Sequence, residues 1–403
     1  MNQALRGQVM DLAAQLAPRY WEARCSLHMN PEPSFAEEKT SEFVQQHLEG
    51  LGISFTGGWA GHGVVAVIKG HAEGNVVGLR ADLDALPIHE QNDVAYRSQN
   101  EGWMHACGHD FHTACLLGVA EALHTLRNQW AGEVVLIFQP GEERLPGGAS
   151  QMIEQGVLHR HNPHVMLAQH VTPEISAGEV GFKQGRFMAS TDEIYITVTG
   201  KGGHAAMPAS FISPIIAASN LVLGLEKEFM HPVSQAGMLY PTVFTIGKFE
   251  GLGATNVVPK EVKLEGTFRT FNEQWRKACH NVLQRFCLKF ARKNHVEVDL
   301  RIVRGYPCLV NHPELTAFCE DEARQYLGEE RVHSLPLRMT AEDFAFFSER
   351  IPVCFYRIGT CGQTPETRFN VHHPNFDVAQ ESMETALGLM TWLALNALTR
   401  TFR

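Results

Sequence analysis

Clusters of metal-ligating side chains are spread along this chain at close spacing. His105-Ala106-Cys107-Gly108-His109-Asp110-Phe111-His112 holds one thiol and three imidazoles in a single short stretch. A Cys and a His two apart, flanked by glycine, can reach one ion from a loop, because thiolate and imidazole are strong ligands for a borderline-soft divalent cation. Arg80-Ala81-Asp82-Leu83-Asp84, Gln139-Pro140-Gly141-Glu142-Glu143 and Gln169-His170 supply carboxylates and a further imidazole. Val371-His372-His373-Pro374-Asn375 adds two more imidazoles in a loop marked by its proline. Adjacent glutamates are commonly a solvated pair; here Pro140 and Gly141 place both at a tight turn straight after an apolar run. His105 and His112 read as hydrogen-bonding partners at the start of a helix rather than as ligands. Cys107 with His109 also fits a thiol nucleophile, but that reading leaves Glu142, Glu143 and His170 without a role.

Three of these clusters follow apolar, β-branched runs: Val76–Leu79, Val134–Phe138 and Val165–Ala168. Helical patterns separate the runs, at Leu5–Met29, from Ser34-x-x-Glu37 (a capping box) to about Leu48, at Phe111–Leu126 and at Gly148–Gln155. Nearly continuous apolar strands alternating with helices predict a sheet with parallel pairs, covered on both faces. Sites in such sheets form outside the carboxyl ends of the strands, where these clusters fall. The texture changes near residue 187. Strands at Glu193–Thr199, Thr242–Phe249, Glu261–Thr270 and Val296–Val303, with helices at Pro214–Phe229 and Glu273–Lys293, predict two helices on a four-stranded antiparallel sheet. The first pattern resumes near Gly305. The expectation is an α/β domain (1–186 and 305–403) interrupted by a smaller α+β domain (187–304).

The composition narrows the function classes. Of 403 residues 44% are hydrophobic and 19% charged, and the net charge is −10 with no Lys/Arg-rich run, so neither nucleic acid nor anionic membrane is an expected partner. No apolar run approaches the ~18 residues of a membrane span. The opening segment reads as an amphipathic helix rather than a signal peptide. Nine cysteines, an odd number, read as reduced thiols, and all but Cys107 as small buried hydrophobes, which predicts a cytoplasmic protein. Gly61-His62-Gly63 precedes a strand instead of joining strand to helix and is not a dinucleotide fingerprint. Neither a nucleophile elbow nor a phosphate-binding P-loop is present.

Taken together, His105–Asp110, Arg80-Ala81-Asp82-Leu83-Asp84-Ala85-Leu86-Pro87 and Gln139–Glu143 resemble the dinuclear-metal amidohydrolases and metallopeptidases. That family includes aminoacylases, hippurate hydrolase, auxin–amino-acid hydrolases and N-acetyldiaminopimelate deacetylase. Gly202-Gly203-His204-Ala205-Ala206-Met207-Pro208, Asn256-Val257-Val258-Pro259, Ala341-Glu342-Asp343-Phe344 and Leu27-His28-Met29-Asn30-Pro31-Glu32 match as well, in order from about residue 20 to the C-terminus. Phe111 and Gly141 depart from the Gly and Ala common in the family, and Ser213-Pro214 from a frequent Asp-Pro; none removes a ligand, although Phe111 is placed to crowd the pocket beside His109.

The resemblance implies an aminopeptidase-like mixed sheet with an inserted lid or dimerisation domain. It implies two divalent ions (Zn, Mn, Co or Ni) on Cys107, His109, Glu143, His170 and His372, with Cys107 where related aminopeptidases use a bridging aspartate. Glu142 would act as general acid and base, and His204 would polarise the scissile carbonyl. Asp84, and less directly Asp82, would orient a metal-bound imidazole, while Asn256 and Arg269 would contact the amino-acid end of the substrate. The implied reaction is amide hydrolysis of an N-acyl amino acid or related small conjugate, by a homodimer or higher homo-oligomer. A dipeptidase or carboxypeptidase of the same fold, and a metal-bearing binding protein without catalysis, are the competing expectations.

Overall fold

Eight strands form the main sheet, in the order Phe55–Trp59, Gly63–Lys69, Glu133–Gln139, Val76–Asp82, Val165–Ser176, Val353–Cys361, Val180–Phe182 and Val332–Ser334. The four from Glu133–Gln139 to Val353–Cys361 run parallel, and antiparallel pairs flank them. These four strands are buried along their central stretches, which requires cover on both faces. Alternation divides the side chains of these strands and of their neighbour Gly63–Lys69. Val64, Ala66, Val134, Leu136, Phe138, Val77 and Leu79 join the core formed with helices Gln3–His28, His109–Thr125 and Ser382–Ala397. Val65, Val135 and Ile137 turn the other way, the side on which Gly148–Glu154 lies against Glu133–Gln139. Phe111 belongs to the first of these cores and is fully buried there, so it does not crowd a pocket.

The computed structural model describes residues 3–230 and 240–402 and falls into two compact units. The sheet above lies in the first, which takes in Met1–Gly185, Val310–Pro336 and Phe346–Arg403; the second takes in Arg186–Leu309 and Leu337–Ala345. In the second unit Thr242–Glu250, Glu261–Thr270, Ser190–Thr199 and Glu297–Arg304 form an antiparallel sheet in that order. Ile194, Ile196 and Val198 alternate inward against Leu221, Leu225, Leu283 and Cys287 of helices Pro214–Met230 and Glu273–Asn294. Asn272 caps the latter helix by accepting the Trp275 N–H.

Two local readings of the sequence need correction. The strand ending in Gln169-His170 does not stop at Ala168 but runs to Ser176, because Val353–Cys361 continues to pair with it; His170 sits opposite Arg357. Ser34 and Glu37 form no capping box. Ser34 Oγ donates to Asp84 Oδ2 at 2.6 Å, and Glu37 makes no side-chain bond to the helix it precedes, Glu38–Gly50. Glu32 caps that helix instead, accepting the N–H groups of Lys39 and Thr40 at 3.1 and 2.8 Å.

Asp192, buried in the second unit, accepts from Arg276 Nε at 2.9 Å and from His280 Nε2 at 2.6 Å. Burial alone would raise its carboxyl, but the bonds from His280 and Arg276 prevail and hold it below the usual range. A carboxyl depressed on folding stabilises above its unfolded pKa, ~3.9, and that stabilisation fades as pH falls through the folded value. Asp192→Asn should therefore be less stable than the parent near neutrality, with the gap narrowing as pH falls from about 5 toward about 3. Thermal unfolding midpoints across that range test this, and a gap independent of pH refutes it.

Candidate metal centre

The parallel pairing brings the clusters together. Asp82 lies opposite Gln139 across neighbouring strands, so Asp84 and the Gly141-Glu142-Glu143 turn leave the sheet side by side. The next strand over contributes His170. Cys107 stands in the loop before helix His109–Thr125, where Gly108 adopts φ +83° as N-cap. A Cβ at Gly108 would lie 2.6 Å from Val171 Cγ2, so only glycine lets the Cys107 loop close onto that strand. His372 arrives from the C-terminal loop with φ +68°, its N–H donating to Ala106 O at 2.7 Å.

Potential ligand atoms fall into two triads, Cys107–His109–His170 and Cys107–Glu143–His372, the atoms of each lying within 4.8 Å of one another. The thiol is common to both. Cys107 Sγ lies 3.4 Å from His170 Nε2, and His372 Nε2 lies 3.2 Å from Glu143 Oε1. His109, Glu142 and Glu143 also converge within 4.8 Å. His373, beside His372, stacks on Phe369 and accepts the Asn375 N–H instead.

Neighbouring groups fix which nitrogen of each imidazole is presented. His109 Nδ1 faces Asp84 O at 2.9 Å and Asp84 Oδ1 at 3.2 Å, which turns Nε2 toward the triad. His170 Nδ1 donates to Val171 O at 2.8 Å, again leaving Nε2 for the site. His112 has no such nitrogen to offer: Nδ1 bonds Asp82 Oδ1 at 2.6 Å, and Nε2 accepts the Val171 N–H at 3.0 Å. Although Asp82, His109 and His112 also form a tight group, His112 is therefore spent on hydrogen bonds. Asp82 also takes Arg80 at 2.6 Å, while Thr113 Oγ1 donates to its carbonyl.

The electrostatics call for a cation at this point. His109 Nε2 is buried and makes no hydrogen bond, while the buried Glu143 Oε1 faces His372 Nε2. Such an orphaned polar atom is costly unless something else satisfies it. Burial opposes charge on His109, yet Asp82, Asp84 and Glu143 overcome it and raise its pKa to about 10. Burial and then Glu143, Glu142 and Asp82 push the Cys107 thiol well above its ordinary value. Burial, reinforced by Arg357, holds His170 neutral. A thiol, three imidazoles and a carboxylate, with one imidazole nitrogen left unbonded, is a donor set that fits a divalent ion.

In the second unit, His204 pairs with Val257 across a two-residue ladder, and Ala205 N–H donates to Asn256 O at 3.0 Å, so His204 and Asn256 are neighbours. Ala206 N–H donates to His204 Nδ1 at 3.1 Å, which leaves Nε2 as a donor. Arg269 is half-buried, with Nη1 donating to Met339 O at 3.1 Å. Sequence reasoning missed Ser34 and Glu37 at this site because their spacing copies a helix cap.

The shared thiol makes a test. Cys107→Ala should lower metal content at both triads after loading with zinc or manganese and desalting. Elemental analysis reads the outcome, and unchanged stoichiometry refutes ligation by Cys107.

This chain resembles known proteins along most of its length. Residues 78–396 match the family model described as Peptidase family M20/M25/M40. An N-acetylcysteine deacetylase of Bacillus subtilis is 36% identical over 374 residues, covering 92% of this chain and 95% of its own. An IAA-amino acid hydrolase of Arabidopsis thaliana is 35% identical over 377 residues, 92% of this chain and 84% of its own. A solved structure from Bacillus subtilis, titled a dinuclear metal binding peptidase from the M20 family, superposes with a TM-score of 0.82 at 31% identity, covering 96% of this chain and 99% of that one. The chain belongs to Peptidase family M20/M25/M40, a family of amide-bond hydrolases.

Proposed function

We propose that this protein hydrolyses the amide bond of N-acyl amino acids or related small conjugates, releasing a carboxylic acid and a free amino acid. The observation that carries the reading is the pair of triads sharing Cys107 with Glu142 beside them. Relatives named as an N-acetylcysteine deacetylase and as an IAA-amino acid hydrolase support the substrate class. Cys107, His109, Glu143, His170 and His372 would hold two divalent ions. Bound there, such ions acidify water toward neutral pH and polarise a carbonyl. Thiolate, imidazole and carboxylate together accept Zn, Mn, Co or Ni.

Glu142 is 7% exposed, at a turn fixed on both sides, and takes the role of general base toward the attacking water, then of acid toward the leaving amine. Asp84 fixes the tautomer of His109 through Nδ1, and Asp82 holds His112 and the start of helix His109–Thr125. His204 is assigned the oxyanion donor by resemblance, and its Nε2 tautomer supports that role. Asn256 and Arg269 are assigned to the substrate's amino-acid end on the same footing.

The second unit, residues 187–304 in the sequence reading, would serve as lid and dimerisation domain. Among the described residues Thr242–Glu250 is an edge strand, and Ile216, Leu223 and Leu252 are exposed. A homodimer is the state this favours. Nine unpaired cysteines favour a reducing compartment, the cytoplasm, and among the described residues no helix is long and apolar enough to cross a membrane.

Chelated protein reloaded with zinc or manganese should release amino acid from one class within a pool of N-acetyl, N-benzoyl, indole-acetyl and fatty-acyl amino acids and dipeptides, followed by mass spectrometry. Release only from dipeptides would make it a peptidase, and no release at full metal occupancy would make it a binding protein. Glu142→Ala should keep its metal and lose about 10²–10⁴-fold in kcat. A variant retaining more than about a tenth of parental turnover overturns the acid–base assignment.

A further inference from the structure

Glu37 is fully buried beside the metal centre, and neither the metal chemistry nor the helix after it uses its side chain. Its Oε1 accepts two backbone N–H groups, from Phe35 at 2.9 Å and from Gly141 at 2.7 Å. Oε2 is buried without a hydrogen-bond partner. The ordinary explanation, a helix cap, fails because Glu32 does the capping. A carboxyl kept in a dry site at such cost has to be doing something local.

The Gly141 contact shows what. Gly141 has φ +62°, and a Cβ there would sit 2.4 Å from the Phe35 ring. Its N–H is held by Glu37, and its carbonyl accepts the Gly148 N–H at 3.0 Å. One residue beyond Glu142, the Glu143 N–H is held by Asp84 Oδ2 at 2.9 Å. The N–H groups of the two residues flanking Glu142 are therefore held by carboxylates from different stretches of chain. Ser34 joins the two ties, since its hydroxyl donates to Asp84 from the turn that carries Glu37.

We propose that Glu37 is a positioning residue for Glu142: through the Gly141 N–H it fixes the turn from which the Glu142 carboxylate reaches the reacting water. The inference rests on the acid–base reading of Glu142. What the turn needs from Glu37 is an acceptor oxygen, not a charge. Burial and the neighbouring Asp84 push its carboxyl up to about 7, so the neutral acid and the amide of Gln serve alike. Displacing a reacting group by an ångström costs up to ~100-fold in rate, and this sets the scale.

The test compares Glu37→Gln, Glu37→Asp, Glu37→Ala and Glu142→Ala in the metal-loaded protein, on whichever N-acyl amino acid the panel identifies. Read for each are kcat, KM, metal content and unfolding midpoint. Glu37→Ala should lose about 10–100-fold in kcat with KM and metal content near parental values, while Glu37→Gln keeps most of the rate. Combining Glu37→Ala with Glu142→Ala should cost no more than Glu142→Ala alone, because Glu37 acts only through Glu142. If Glu37→Ala is not recovered folded, Glu37→Asp decides: one methylene shorter, it should lose at least about fivefold in kcat with metal retained. Parental kcat in Glu37→Asp and Glu37→Ala, or a loss tracking metal content, overturns the proposal. An active Glu142→Ala instead overturns the reading beneath it, so the two failures stay distinct.

Discussion

The site depends on one carboxylate that joins three separated stretches of chain. Asp84 faces His109 with Oδ1, and with Oδ2 it accepts the Glu143 N–H and the Ser34 hydroxyl. Burial would raise its pKa, but His109, Ser34 and the Glu143 amide together keep it ionised, below the ordinary carboxyl range. Each bond to an ionised acceptor is stronger than a neutral one, and each orders something the metal triads need. The imidazole of His109 is turned, the turn of Glu142 and Glu143 is anchored, and the segment before helix Glu38–Gly50 is drawn in.

Much of this arrangement was legible in the sequence, for reasons of periodicity and punctuation. Val134–Phe138 and Val76–Leu79 are apolar throughout because both faces of the sheet are covered, so their ends and the acids just past them stand out. Gly108 and Gly141 mark backbone that other residues do not readily adopt. The alternation of Ile194, Ile196 and Val198 likewise gave away the second sheet. What escaped was long-range. Nothing local says that Val165–Ser176 continues past His170, because its partner strand lies almost two hundred residues later. Nor can spacing tell a Ser-x-x-Glu that closes a helix end from one whose side chains leave for Asp84 and Gly141.

A second buried network stands behind the first. Arg24 of helix Gln3–His28 pairs with Asp110 at 2.7 Å and Asp377 at 2.8 Å, and His28 bonds both Asp110 and Glu90. Asp110 follows His109, and Asp377 lies five residues after His372, so one arginine ties together the loops of both triads. Buried ion pairs of this kind add little net stability compared with apolar packing, although breaking one is severe. Their contribution here is geometric, since Asp110 adjoins His109 and Asp377 lies in the loop that carries His372.

The chain order of the first unit has a consequence for how the protein is made. The segments bearing Cys107, His109, Glu143 and His170 precede the inserted unit, whereas His372 and the strand beside His170 follow it. During synthesis the early half emerges with Val165–Ser176 missing its neighbour and with helix Ser382–Ala397 absent from the core. A nascent chain can therefore assemble one triad's residues but not the other's, while the intervening 124 residues, Arg186–Leu309, fold on contacts mostly among themselves. The triad of Cys107, Glu143 and His372 therefore cannot close until His372 has been translated, after the inserted unit.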